Sequence, residues 1–375
     1  MKKHFNYFLF FVVVFLLGFS FLFFACLSSS FSLQKFGNTN YYLFHQFLFG
    51  FLPGVILGFI AYKFPLRLLK KLALPIFLLS IAFSFFVFIP GIGLKVNGAY
   101  RWVHIAGFTF QPSELLKITA ILYLSAWIAS KLSEDNVFDW KSVTKKGLHN
   151  IIYILIPFLV LLGIITIALY LQSDVSTLVI TSLTLLALYF SAKTPFWHTA
   201  AIITSGLGLL LFMIRFEPYR LQRWLVFLNP DSDPLNKGYQ IKQSLISLGS
   251  GGIFGNGIGM SSQKFTFLPE AMTDSIFAII GEETGALGSI ALIIIFILFF
   301  WLGINISKNS SDRFSKLTAI GIVFLITFQA FTNIAAATGM LPIAGIPLPF
   351  FSYGGSHLMV ELIGVGLLLN ISKNT

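Results

Sequence analysis

Charge is what this sequence has least of. Asp, Glu, Lys and Arg make up 10% of its 375 residues, against about 25% in an ordinary soluble domain. With 56% hydrophobic residues and a strongly positive mean hydropathy, that shortage excludes a soluble globular protein and leaves a polytopic membrane protein. Cysteine occurs once, at Cys26, which excludes an internal disulfide. The six histidines are scattered; no His/Cys/Asp group has structural-zinc spacing, no serine is marked as an activated nucleophile, and no protein-built metal site is expected. The glycine cluster GSGGIFGNGIG (249–259) lacks the Lys-Ser/Thr ending of a phosphate-binding loop and does not follow a strand. It reads instead as a tightly folded loop or a place where backbone approaches a substrate. The 44 phenylalanines are too many to mark a site and read as lipid-facing filler.

What is present is a series of apolar runs. A span needs about 20 apolar residues, and ten candidates meet that need: 5–27, 42–62, 69–90, 112–130, 150–170, 174–192, 196–215, 275–302, 315–337 and 346–370. The expected fold is therefore an all-α polytopic membrane protein, one integral domain over 1–375, with a single long loop at about 216–273. LFFAC near Cys26 loosely resembles a lipoprotein cleavage site, but the apolar run before it is longer than a signal-peptide core, so it reads as an uncleaved first span. The net charge of +11 becomes a topological signal. With the N-terminus inside, the alternate short loops hold fifteen Lys and Arg, and the opposite set only Lys35, Lys95 and Arg101. Both termini are expected in the cytoplasm and the long loop outside. No nucleic-acid partner is expected. The long loop's own cations, Arg220, Arg223, Lys237, Lys242 and Lys264, point to an anionic partner at the outer leaflet.

The scarce acids are unevenly placed. FLPEAMTDSIFAIIGEE (267–283) holds Glu270, Asp274, Glu282 and Glu283 at the entry to an apolar run. Glu114, Lys117 and Asp174 also lie at outer ends of spans, and Glu361 alone is expected toward the inner half, roughly 22 Å into the last span. Charges in hydrocarbon are costly and normally face a cavity or a partner, so a shared polar pocket opening outward is expected. GYQIKQSLISLG (238–249) spaces its apolar residues as a short amphipathic helix resting on the membrane surface. GIPLPFFSYGGS (345–356) opens the last span with two prolines and a Gly pair, which suggests a broken helix lining a cavity.

Four stretches then carry a family likeness: NGAYRWVHIAGFTFQPSELLKI (97–118), YRLQRWLVFLNPDSDPLNKGYQIKQSLISLGSGGIFGNGIG (219–259), FLPEAMTDSIFAIIGEETG (267–285) and GIPLPFFSYGGS. In this order they closely resemble the SEDS family of cell-wall synthesis (the FtsW/RodA/SpoVE group), and the likeness covers nearly the whole chain. Alanine after PE and the AGFTFQPSELLK stretch look more like the division branch, FtsW, than the elongation branch, RodA.

The resemblance implies a peptidoglycan glycosyltransferase of the bacterial cytoplasmic membrane with its active site facing outward. Such proteins polymerise lipid II, a disaccharide-pentapeptide on undecaprenyl diphosphate, alongside a class B penicillin-binding protein and other divisome proteins. The family's essential aspartate falls on Asp274, as catalytic base. Substrate-binding roles are expected for Arg101, Trp102, Gln111, Glu114, Lys117, Arg220, Arg223, Lys242, Gln243, Glu270, Ser352, Tyr353, Gly354, Gly355 and Ser356. No intrinsic cofactor is implied; a divalent cation, Mg²⁺ or Mn²⁺, would be held with the substrate diphosphate. Met272 stands where the family usually has histidine, Ser275 where phenylalanine is common, and Asp174 in LQSDVST matches a PDLGT-like stretch without its proline. The competing reading from the same pocket is a lipid II flippase. Against it stand the outward clustering of the charges and the lack of an inverted repeat.

Overall fold

A computed structural model of the chain describes residues 5–131 except 97 and 106, 154–192, scattered positions between 194 and 208, 218–263 and 268–373. The described residues are mostly helical. Six helices are long and apolar enough to cross a membrane: α1 (Tyr7–Phe36), α2 (Tyr41–Lys63), α3 (Leu66–Phe88), α9 (Ile276–Asn309), α10 (Arg313–Ala337) and α11 (Gly355–Lys373). Between them lie α4 (Pro112–Lys131), which carries Glu114 and Lys117 in its first turns, and the shorter apolar helices α5 (Ile156–Leu171) and α6 (Val175–Ser191). The helix starts follow from capping chemistry. The side chain of Asn6 accepts from Leu9 N at the head of α1, Asp174 from Thr177 N at α6, and Asp312 from Ser315 N at α10. The seventh expected span, 196–215, lies largely outside the described residues.

Two departures from the sequence reading matter for the site. The last helix begins at Gly355 rather than at 346, because Pro347 and Pro349 supply no backbone donors and residues 342–348 are extended or irregular. The segment 93–110 is not a plain loop: β1 (Gly93–Val96), β2 (Ala99–Ile105) and β3 (Phe108–Phe110) form a three-stranded antiparallel sheet, so the described residues are not all-α. Its register pairs Gly93 with Val103 and Val103 with Phe110.

α10 and α11 are the most enclosed of the long helices, whereas α2 and α3 expose most of their apolar side chains. α11 lies against α2 closely enough that a Cβ added at Gly366 would fall 2.1 Å from the Gly58 carbonyl oxygen. Small residues of this kind let helix backbones approach where lipid offers no hydrophobic drive to pack.

The region 218–263 adds α7 (Pro218–Leu228) and α8 (Lys237–Ser250). α8 is the amphipathic helix expected from its spacing, but it does not lie across the end of the bundle. Gln240 Nε2 donates to Ser275 Oγ at 3.1 Å, Ser247 Oγ to the Ala278 carbonyl at 3.0 Å, and Ala286 N to the Gly252 carbonyl at 2.9 Å. Contacts that advance together along both chains mean that α8 runs parallel to the first turns of α9, and the glycine cluster then turns back.

Candidate active site

Asp274 sits two residues before α9, where residues 268–275 form a run of turns. Its backbone carbonyl is gripped by Asn333 of α10, whose Nδ2 donates 2.8 Å bonds to both Asp274 O and Ile346 O. Gly345 passes so close that a Cβ there would lie 3.4 Å from Asp274 Oδ2, and its φ of +67° is a left-handed conformation that L side chains rarely adopt. The 345–353 segment is stitched to the Asp274 turn by two further bonds. Ser352 Oγ donates to the Thr273 carbonyl at 2.6 Å, and Tyr353 N donates to the Met272 carbonyl at 2.7 Å. α2 holds the far side, where Gln46 Oε1 accepts from Gly354 N at 3.0 Å and His45 Nδ1 meets the Tyr353 hydroxyl at 2.8 Å.

The Asp274 carboxyl is half-buried and lies outside the spanning helix. Burial raises it from 3.8 to about 6, with the Glu270 carboxylate pushing the same way and Lys237, Arg223 and Arg101 pulling back. The enclosed space beside it, lined by Ser244, Thr332, Asn333 and Gly345 among others, is about 10 Å³, room for one water.

The other expected residues fall into separate groups. On β2, Arg101 donates to the carbonyls of Gln172 and Ser173, while Trp102 pairs with Leu94 and is half-buried. Gln111 Nε2 donates to Asp174 Oδ2 at 3.0 Å, and Ser113 Oγ donates to the same oxygen at 3.2 Å. Ser176, in the first turn of α6, bonds the Ala344 carbonyl next to Gly345, so this group is joined to the Asp274 wall. Glu270 is exposed and accepts from Thr273 Oγ1 at 2.9 Å. Lys242 pairs with Asp231 on the exposed surface, and Gln243 is half-buried on α8. Gly355 and Ser356 begin α11, Ser356 being buried. The side chain of Arg220 lies outside the described residues.

Glu114 and Lys117 are buried between α4 and α11 and pair with each other, with Lys117 Nζ 2.8 Å from Glu114 Oε2. Glu282 and Glu283 are also buried, but they serve the glycine loop. Glu282 accepts from Ser262 N at 2.9 Å and from the hydroxyls of Ser247 and Ser261; Glu283 accepts from Gly259 N at 2.8 Å and Ser261 N at 3.2 Å. One shared pocket for all these charges is thus replaced, among the described residues, by several clusters. Glu361 is also relocated. It lies six residues into α11, about 9 Å along the helix, because the segment before Gly355 is not helical. Among the described residues no group of three or more His, Cys, Asp or Glu is placed to hold a metal ion.

Asn333, Gly345 and His357 were not singled out from the sequence, and Lys237 was marked only as one of the long loop's cations. Asn333 carried a weak signal, being a lone amide in an apolar run, and His357 stands four residues before Glu361, one helical turn away.

The model of the cell cycle protein family of FtsW, RodA and SpoVE matches residues 7–375. The chain belongs to that family. A family relative from Geobacter sulfurreducens, named probable peptidoglycan glycosyltransferase FtsW, is 36% identical over 345 residues, 92% of this chain and 89% of the relative. Stage V sporulation protein E of Bacillus subtilis is 37% identical over 287 residues, 76% of this chain and 75% of that protein. Two solved structures share the fold. One chain, from "Structural coordination of polymerization and crosslinking by a peptidoglycan synthase complex", superposes with a TM-score of 0.75 at 23% identity, covering 98% of this chain and 97% of the other. The crystal structure of the Thermus thermophilus rod shape determining protein RodA gives 0.68 at 21% identity, covering 98% and 96%.

Proposed function

We propose that this chain, like its relatives named probable peptidoglycan glycosyltransferase FtsW, is a peptidoglycan glycosyltransferase, and that it polymerises lipid II at the outer face of the cytoplasmic membrane. The observation that carries the reading is Asp274, a half-buried carboxyl raised to about 6 at the mouth of α9, with Arg101, Arg223 and Lys237 within electrostatic reach. A group with that pKa is mostly ionised near neutrality and still basic enough to accept a proton. The hydroxyl oxygen of the acceptor sugar attacks the anomeric carbon of the donor and loses its proton to Asp274. The bond from that carbon to the diphosphate oxygen breaks, and undecaprenyl diphosphate leaves with the electron pair. Attack opposite the leaving group inverts the anomeric centre.

The three cations supply the positive field that the departing diphosphate needs. Lys117 is buried and already engaged by Glu114, so the diphosphate is assigned to Arg101, Arg223 and Lys237 instead. A Mg²⁺ or Mn²⁺ ion fits here only if shared with the substrate. Asp274 offers one carboxylate, and the remaining oxygens of an octahedral shell would come from the diphosphate and water.

The proposed topology has ten spans, both termini cytoplasmic, and the α7–α8 region outside, which places Asp274 where a lipid-linked sugar would lie. The FtsW-like sequence favours a division role with a class B penicillin-binding protein as crosslinking partner. The test is polymerisation of purified lipid II by the full chain with that partner present and no other polymerase. Asp274→Ala is expected to yield no polymer while remaining folded; full-length polymer from that variant would remove Asp274 as the base. Protein-dependent transbilayer movement of lipid II without polymer would favour the flippase.

A further inference from the structure

Four ionisable side chains buried between α4 and α11 take no part in the chemistry above. Lys117 Nζ meets Glu114 Oε2 at 2.8 Å, and the same oxygen lies 2.9 Å from His357 Nδ1. On the other side of the ring, His357 Nε2 lies 2.8 Å from Glu361 Oε1. These residues are between 2% and 5% exposed. Basic and acidic groups thus alternate along a chain that starts on α4 and ends at Glu361. Burying so many ionisable groups inside a membrane protein is costly and normally tied to function.

The chain does not stop at Glu361 Oε1. Its second oxygen, Glu361 Oε2, accepts from Phe350 N at 2.8 Å. Phe350 is a buried, non-glycine residue at φ +67°, a left-handed conformation that L-residues rarely adopt. Its carbonyl is held as well, accepting from Ser20 Oγ of α1 at 2.6 Å. Such a conformation persists only where the surroundings over-determine it. Phe350 lies between Gly345, which backs the Asp274 carboxylate, and Ser352, which grips Thr273 O.

We infer that Glu361 is a positioning residue for Asp274, acting through the Phe350 amide, and that His357, Glu114 and Lys117 hold Glu361 in place. The inference rests on the polymerase reading and adds that the reactive carboxylate is aimed by a charge chain it does not touch. With the acceptor gone, Phe350 relaxes from its left-handed state, the 345–352 segment shifts, and Asp274 loses its register with the sugar hydroxyl.

The experiment compares the full-length wild type with Glu361→Ala, Glu361→Gln, His357→Gln and Asp274→Ala. Each is assayed for lipid II polymerisation and for backbone hydrogen exchange in peptides covering 345–353. Glu361→Ala should lower kcat by about 10–100-fold, the cost of slight misplacement, at unchanged KM for lipid II, with faster exchange in 345–353. Glu361→Gln keeps an oxygen for the Phe350 amide and should restore turnover to within about threefold of wild type, with slow exchange. His357→Gln should fall between the two. Asp274→Ala should lose polymerisation and keep slow exchange, so failure of the base assignment is seen separately from failure of the positioning. Full turnover with fast exchange in either Glu361 variant would overturn the inference, as would a loss in Glu361→Gln equal to that in Glu361→Ala. If Glu361→Ala does not fold, the two readouts on Glu361→Gln decide by the same criteria.

Discussion

At the scale of single residues, Asp274 is caught between two demands. As a base it must be ionised, yet its surroundings disfavour ionisation and raise it from 3.8 to about 6. Polymerisation should therefore lose activity below about pH 6, kcat/KM falling tenfold per pH unit on that limb. Lys237 pulls the carboxyl down, so Lys237→Met should move the limb to higher pH; a limb that stays put would separate Lys237 from the site. The same shift sets a stability cost. A pKa raised on folding means that the native state holds the proton more tightly, so this contribution is fully present below 3.8 and is lost as pH rises through about 6. At pH 7.5 Asp274→Asn should stabilise the detergent-solubilised protein, by at most about 3 kcal/mol at about 1.4 kcal/mol per unit. Partial exposure reduces that figure. Thermal unfolding should show the gain shrinking by about half at pH 5, while polymerisation is absent throughout.

Elements decide which of these groups meet. The glycine cluster can fold back beside α9 because its backbone comes within contact of that helix. Gly255 stands at φ +81°, and a Cβ there would fall 2.3 Å from the Glu283 carbonyl oxygen. Gly255→Ala should cost roughly 2–5 kcal/mol from left-handed strain plus overpacking, read as a lower unfolding temperature in detergent. An unchanged temperature would mean that the loop is not packed as described. The cluster's glycine content was legible as a demand for tight turns, but the sequence did not say against what. Nor did it say that Glu282 and Glu283, which look like pocket acids beside Asp274, would be used up on the loop's amides and hydroxyls. Hydropathy located the helices well because burial in lipid depends on composition over about 20 residues. It misplaced the start of α11, and with it Glu361, because Pro347 and Pro349 sit in an apolar stretch that composition alone cannot tell from helix. The candidate residues legible in the sequence, Asp274, Glu270, Arg101 and Ser352, are polar groups conspicuous against apolar neighbours. Asn333 and Gly345 act through backbone carbonyls and close approach, neither of which marks a residue in the linear chain, and Lys237, legible only as a loop cation, acts through its field.

At the scale of the whole molecule, the proposed chemistry depends on one orientation. α9 is interrupted at Gly285, which stands at φ +69° and ψ −169°, and the helix beyond it, residues 286–309, is about 36 Å at 1.5 Å per residue, long enough to cross a bilayer. Asp274 stands at one end and the loop before α10 at the other. On the proposed reading lipid II presents its sugars at the outer surface, which calls for the Asp274 end to face outward. The basic residues agree, since Lys308, Arg313 and Lys316 flank the opposite end and cationic loops remain cytoplasmic. Cysteine labelling tests this directly. In a Cys26→Ser background, Leu235→Cys, at an 86% exposed position just before α8, should react with a membrane-impermeant maleimide on intact spheroplasts. Ser311→Cys, exposed between α9 and α10, should react only after lysis. The reverse pattern would put Asp274 on the cytoplasmic side, where a base at the mouth of α9 could not serve a polymerase whose product is built outside.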